Sequence, residues 1–153
     1  MRTVAFETMV PMFGGGSASK RWDEDQVVRG PSIRGQLRHW WRATVDIADV
    51  DALRARERAL FGGVFPGDGD DGAVASRVVI HATGTGRGVP QPKALDWAVR
   101  WVKDKGVPDT KQFCDVTDAV LTMRMPDEVA AEVDRALDAW RWLGGLGGRT
   151  RRG

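Results

Sequence analysis

The 153-residue sequence predicts an α+β fold, and three observations carry that reading. Three segments alternate apolar and polar residues with the period of a half-buried strand. Longer segments repeat apolar residues every three or four positions, the period of a helix packed along one side. The segments follow the order strand, helix, strand, strand, helix, with one further short helix after the first.

Residues 3–12, TVAFETMVPM, place Val4, Phe6, Val10 and Met12 on one face, which predicts a strand ending near Pro11. The next stretch, GGGSASKRWDEDQ, is a glycine-rich, charged loop. Ser32 then follows Pro31 as an N-cap candidate, and Ile33, Leu37, Trp40, Trp41 and Val45 recur at helical spacing, so a helix is expected over residues 32–46. DALRARERALFGG adds a short helix from Asp51 to Phe61 that stops at Gly62 and Gly63.

The acidic loop PGDGDDG follows; Asp68, Asp70 and Asp71 lack the spacing and closing glutamate of an EF-hand, so a solvated loop is expected rather than a calcium site. ASRVVIHAT predicts a second strand with Val78, Ile80 and Ala82 on one side. Residues 84–115 read as an insertion containing a helix, ALDWAVRWVKD, whose Trp97, Trp101 and Val102 form an apolar stripe suited to packing. DAVLTMRM is a third strand. It leads through Pro126 into a helix with Asp127 and Glu128 in its first turn, Gly144 at its end, and a stripe of Val129, Val133, Leu137 and Trp140.

This order is the ferredoxin-like (RRM-like) βαββαβ pattern with its last strand apparently missing or supplied by another segment. The length suits one domain over residues 1–153, ending in a glycine-rich loop at 144–153. No apolar run approaches the roughly 20 residues a membrane span needs, so no membrane segment is expected, and MRTVAFETMV lacks the long apolar stretch and small-residue cleavage site of a signal peptide. Cys114 is the only cysteine, so an internal disulfide and a cysteine-built zinc site are excluded, and a cytoplasmic location with no metal or cofactor is expected.

The net charge of +2 conceals a segregation. Arg29, Arg34, Arg38 and Arg42 fall within residues 29–42, and Arg141, Arg149, Arg151 and Arg152 within 141–153, with no acid in either stretch. Removing these eight from 23 basic residues leaves 15 against 21 acidic, a body of net −6 with two basic segments. Such a distribution suits a polyanionic partner; solvated surface charge is the plainer reading. Arg34, Arg38 and Arg42 lie four apart and form a ridge on the first helix, while Leu37, Trp41 and Val45 can face a sheet. Trp40 suits either core packing or stacking on a base. The Pro31 to Gly35 turn gathers free N–H groups at a helix start, a natural phosphate seat, with Gly35 permitting close approach.

Four pieces, in order, resemble the RAMP superfamily of type III CRISPR interference complexes, most specifically the first RAMP subunit of the Cmr (type III-B) complex. They are VPMFGGGSASKRW, RGPSIRGQLRHWWRAT, ERALFGG and LGGLGGRTRRG, of which the second is the most specific. The resemblance covers residues 3 to about 80 and 140–153. It departs from the family in two ways: members usually carry two ferredoxin-like domains, which points to an N-terminal domain, a short form or a split version, and His39 stands where an aromatic residue is commoner.

The resemblance implies an RNA-binding structural subunit of an RNA-guided complex, near the 3′ end of the guide and beside other RAMP subunits. Its partners would be CRISPR guide RNA, target RNA or both. The residues expected to contact RNA are Lys20, Arg21, Arg29, Ser32, Arg34, Gly35, Arg38, His39, Arg42, Gly145, Gly147, Arg149, Arg151 and Arg152. Contacts of this kind act mainly on phosphates and carry no sequence information. RAMP relatives also include metal-independent endoribonucleases, whose cleavage needs a general base and acid. With only His39 and His81 and no tyrosine, catalysis is not the expectation, although His39 lies among arginines. A third reading is a protein-interaction module whose arginines meet a partner's acids.

Overall fold

The computed structural model describes residues 1–13, 16–18, 21–64, 72–90, 109–148 and 151–152. The expected helix ALDWAVRWVKD and residues 66–71 of the acidic loop lie outside the described residues. The chain divides into two compact units. The first comprises Met1–Arg2, Gly30–His81 and Thr122–Gly144; the second comprises Thr3–Arg29, Ala82–Leu121 and Gly145–Gly153.

The main sheet is built on one central strand. Strand β1 (Arg2–Phe6), strand β2 (Met12–Phe13) and strand β5 (Val79–Gly88) all pair with β6 (Phe113–Arg124). In the antiparallel β2–β6 pair, Met12 lies opposite Cys114 and Phe13 opposite Phe113. The first expected strand is therefore two short pieces. Pro11 has no N–H to give to a ladder, and the break before it leaves Val10 exposed rather than on the inner face. Thr8 bridges the gap: its N–H donates to the Val116 carbonyl at 3.1 Å, and its hydroxyl accepts from the Val116 N–H at 3.0 Å.

Strand β6 starts five residues before the segment the alternation marked. Cys114 and Val116 are buried, then Ala119, Leu121 and Met123, so the inward phase slips by one residue at Asp118, which has φ 51°. This is the signature of a bulge, where one extra residue is left over and the pleat changes hand. Gly84 of β5 lies against it, and a Cβ there would come within 3.3 Å of the Ala119 backbone. Strands β5 and β6 thus extend into residues 84–88 and 113–115, from both sides of the stretch read as an insertion.

In the first unit, α1 (Gly30–Thr44) packs on α2 (Val50–Phe61) and on α4 (Asp127–Leu143). Ile33, Leu37 and Trp41 are the buried face of α1; Val129, Val133, Ala136, Leu137 and Trp140 are that of α4. Trp41 meets Phe61 edge to face, with ring centroids 6.2 Å apart. Helix α2 is capped by Asp49, whose carboxylate accepts from the Ala52 N–H at 2.7 Å. It ends at Gly62 with φ 69°; a Cβ there would lie 2.6 Å from the Val74 carbonyl, so glycine is required. Strand β3 (Gly63–Val64) then pairs antiparallel with β4 (Ala73–Val74).

In the second unit, Phe13 and Phe113 pack 5.2 Å apart with Val89 against them, and Trp22 Nε1 donates to the Thr110 carbonyl at 2.9 Å. Thr110 belongs to α3 (Asp109–Gln112), the turn before β6. Burial pushes the Cys114 thiol up to about 11, which keeps it a neutral core side chain. The glycine-rich end folds as a hairpin beside β2, in which β7 (Gly147–Gly148) pairs antiparallel with β8 (Arg151–Arg152).

The succession of strand, helix, strand, strand and helix is that of a ferredoxin-like α+β fold, with helix α2 and hairpin β3–β4 added after the first helix. Among the described residues, no strand after α4 joins the four-stranded sheet.

Candidate nucleic-acid interface

Helix α1 positions the largest group of expected site residues. Its buried stripe, Ile33, Leu37 and Trp41, anchors one side, and the spacing of four then sets Arg34, Arg38 and Arg42 along the next side. The helix begins at Gly30, two residues earlier than expected. Ser32 therefore lies inside the first turn, exposed, and is not the cap. Pro31 suits that turn because its missing N–H would have no partner there. No acid occupies the turn, so no side chain of the turn itself offsets its positive pole.

The arginines are not equivalent. Arg38 Nε donates to Glu57 Oε1 at 2.6 Å, and Arg42 Nη1 donates to the same oxygen at 2.7 Å. Glu57, on α2, is only 7% exposed, whereas the Arg38 and Arg42 side chains are 32% and 44% exposed. Burial pushes the Glu57 carboxyl up, but the hydrogen bonds from Arg42 and Arg38 outweigh it and hold the group below the usual carboxylate value. Arg34 is half-buried; its Nε is shielded from water and has no hydrogen-bond partner among the described residues. An unsatisfied shielded donor is costly.

Gly35 lies on the exposed part of α1, and a Cβ added there would meet nothing within 4 Å. Among the described residues, no packing needs a glycine at this position. His39 is exposed and sets its ring edgewise against Trp40, with centroids 5.3 Å apart. Trp40 is half-buried, between the two roles its position allowed, and its Nε1 finds no partner among the described residues.

The first unit thus brings together Ser32, Arg34, Gly35, Arg38, His39 and Arg42. The second unit holds Arg21, which is exposed, and Arg29 and Gly145, which are half-buried. Gly147, Arg151 and Arg152 are paired positions of the β7–β8 hairpin, with Gly147 opposite Arg152. Lys20 and Arg149 lie outside the described residues. His81 is exposed on β5, on the side opposite Val78 and Ile80. Among the described residues, no group of three His, Cys, Asp or Glu side chains is placed to hold a metal ion, and no helix is long and apolar enough to cross a membrane.

Sequence reasoning missed Glu57, and a signal for it existed. Glu57 shares the buried face of α2 with Leu60 and Phe61 at helical spacing, and a carboxylate on an apolar stripe needs cationic partners. It missed Glu132 of α4 as well, which pairs with Arg56 and accepts from Trp41 Nε1 at 3.1 Å.

The succession of elements, with an arginine-lined first helix and a glycine-rich hairpin after the last helix, defines an α+β protein of the ferredoxin-like class. The chain belongs to the RAMP superfamily, whose family model matches residues 5–153. Among solved structures it is similar to Cmr1 from Pyrococcus furiosus in its apo form, with TM-score 0.61 and 22% identity over 100% of this chain. The match spans 47% of that chain, so this sequence corresponds to about half the length of the relative. A search of curated proteins finds no match.

Proposed function

We propose that this chain is an RNA-binding structural subunit of a type III CRISPR RNA-guided interference complex. It contacts guide or target RNA near the 3′ end of the guide, beside other RAMP subunits, in the cytoplasm. The observation that carries the reading is the side of α1 where Arg34, Arg38 and Arg42 line up next to an open Gly35 and an acid-free first turn. Guanidinium forks match phosphate, and a helix N-terminus adds partial positive charge. Superfamily membership and the likeness to Cmr1 support the assignment to such a complex. The chain is a binding subunit rather than a nuclease.

The test is binding of a guide-like RNA to the chain at several salt concentrations, beside an Arg34→Ala, Arg38→Gln, Arg42→Gln variant. Glutamine at position 38 can still donate to Glu57 from the place of Arg38 Nε, but both cations opposite a buried carboxylate are lost, so folding of the variant is checked by circular dichroism. The chain should bind intact RNA, weaken steeply with salt, and lose both affinity and slope in the variant. RNA cleavage that requires His39 would establish the endoribonuclease reading instead. Absence of both binding and cleavage would leave the protein-interaction module.

A further inference from the structure

We propose that Glu57 is a positioning residue for RNA, a buried carboxylate that sets the Arg38 and Arg42 forks to receive one phosphate group. The inference rests on the RNA reading above. Both arginines stand on one helix, one turn apart, and both place a nitrogen on the same Glu57 oxygen, at 2.6 and 2.7 Å. Without that acid two like charges at this spacing would diverge. With it, Arg38 Nε and Arg42 Nη1 lie within about 5.3 Å of each other, the sum of the two distances.

A guanidinium has five N–H donors, so a single bond to Glu57 leaves most of each fork for another acceptor. Glu57 is 7% exposed, while the Arg38 and Arg42 side chains are 32% and 44% exposed, so the acid is the covered member of the cluster. A phosphate would therefore meet the arginines and not the acid behind them. Long side chains lose rotamer freedom on binding, and Glu57 has already removed that freedom in the free chain.

Electrostatics alone makes the opposite prediction, which is what renders the idea testable. Glu57→Gln removes a negative charge beside the site, so a simple field effect gives tighter RNA binding. Positioning gives weaker binding despite the gained charge. The measurement is affinity for a guide-like RNA across a salt series, with folding followed by circular dichroism. For Glu57→Gln the expected result is an affinity lowered by roughly three- to tenfold and a salt slope reduced by about 0.7, one single-strand phosphate contact. A merely structural Glu57 would lower the melting temperature and leave that slope alone.

Equal or tighter binding by folded Glu57→Gln overturns the inference while leaving the RNA reading intact. Failure of the unaltered chain to bind in a salt-dependent manner overturns the RNA reading itself, and the inference with it. Should Glu57→Gln not fold, Glu57→Asp decides. It keeps the charge and both arginine forks but draws the carboxylate back by one methylene, so a weaker affinity with a lower salt slope supports positioning and unchanged binding overturns it.

Discussion

Two glutamates of the first unit, Glu57 and Glu132, are built alike and serve different ends. Each is sparingly exposed, each accepts from two donors, and each is held below the usual carboxylate value. For Glu57 burial is the largest influence and is overcome by Arg42 and Arg38; for Glu132 the hydrogen bond from Arg56 leads, against burial. Their partners differ. Glu132 sits on α4 and takes its donors from two other helices: Trp41 of α1, which is wholly buried, and Arg56 of α2. Glu57 takes both donors from one side of α1, and both remain part exposed. An acid whose donors come from several elements joins those elements. An acid whose donors are neighbours on one surface arranges that surface.

The comparison is tested most severely at its apolar end. Trp41→Ala empties a fully buried site between the helices and should destabilise the chain by about 3–5 kcal/mol, read by chemical denaturation. A loss below about 1 kcal/mol would show that Glu132, and not the tryptophan, secures the helices. Glu132→Gln should cost on the order of 1–2 kcal/mol, since the amide oxygen can still accept one N–H but the charge on the Arg56 bond is lost. RNA affinity and its salt slope should not change in the folded Glu132→Gln protein, in contrast to Glu57→Gln.

Titration offers a third test. Both folded carboxyls lie below their unfolded values, so both contribute stability that is present above the unfolded carboxylate value and lost as pH falls through the folded one. Denaturation curves from neutral pH downward should show stability falling across the acid range. Glu132→Gln and Glu57→Gln should each flatten that fall. A pH dependence identical to that of the unaltered chain would mean that the ion pair in question contributes nothing to folding.

The smallest effect is expected at Gly35. It lies in a helix with empty space where a Cβ would stand, so Gly35→Ala should raise stability by roughly 0.5–1 kcal/mol. If the RNA backbone approaches α1 there, the same variant binds RNA less tightly while melting higher. Unchanged binding would confine the phosphate seat to the arginines.

Much of this was legible in the chain because it depends on local period and local chemistry. The stripes Ile33–Leu37–Trp41 and Val129–Val133–Leu137–Trp140 are buried as their spacing requires, and Gly62 and Gly144 end their helices. The order of elements, and with it the ferredoxin-like class, follows from those periods. Two readings failed where a single residue broke the period. Pro11 interrupts the first strand and frees Val10, and Asp118 shifts the pleat so that only the second half of β6 showed a clean alternation from that point.

By itself, then, the sequence determined the elements, their order, the apolar stripes and the basic side of α1, because each of these is set by residues within a few positions of one another. Tertiary structure alone decided which acids the side chains of α1 meet. Glu57 is 19 positions from Arg38, Glu132 is 91 from Trp41, and no periodicity connects residues so far apart. Only the packing of α1 on α2 and α4 brings a carboxylate within hydrogen-bond distance, and that contact is what turns a row of like charges into an ordered pair of forks.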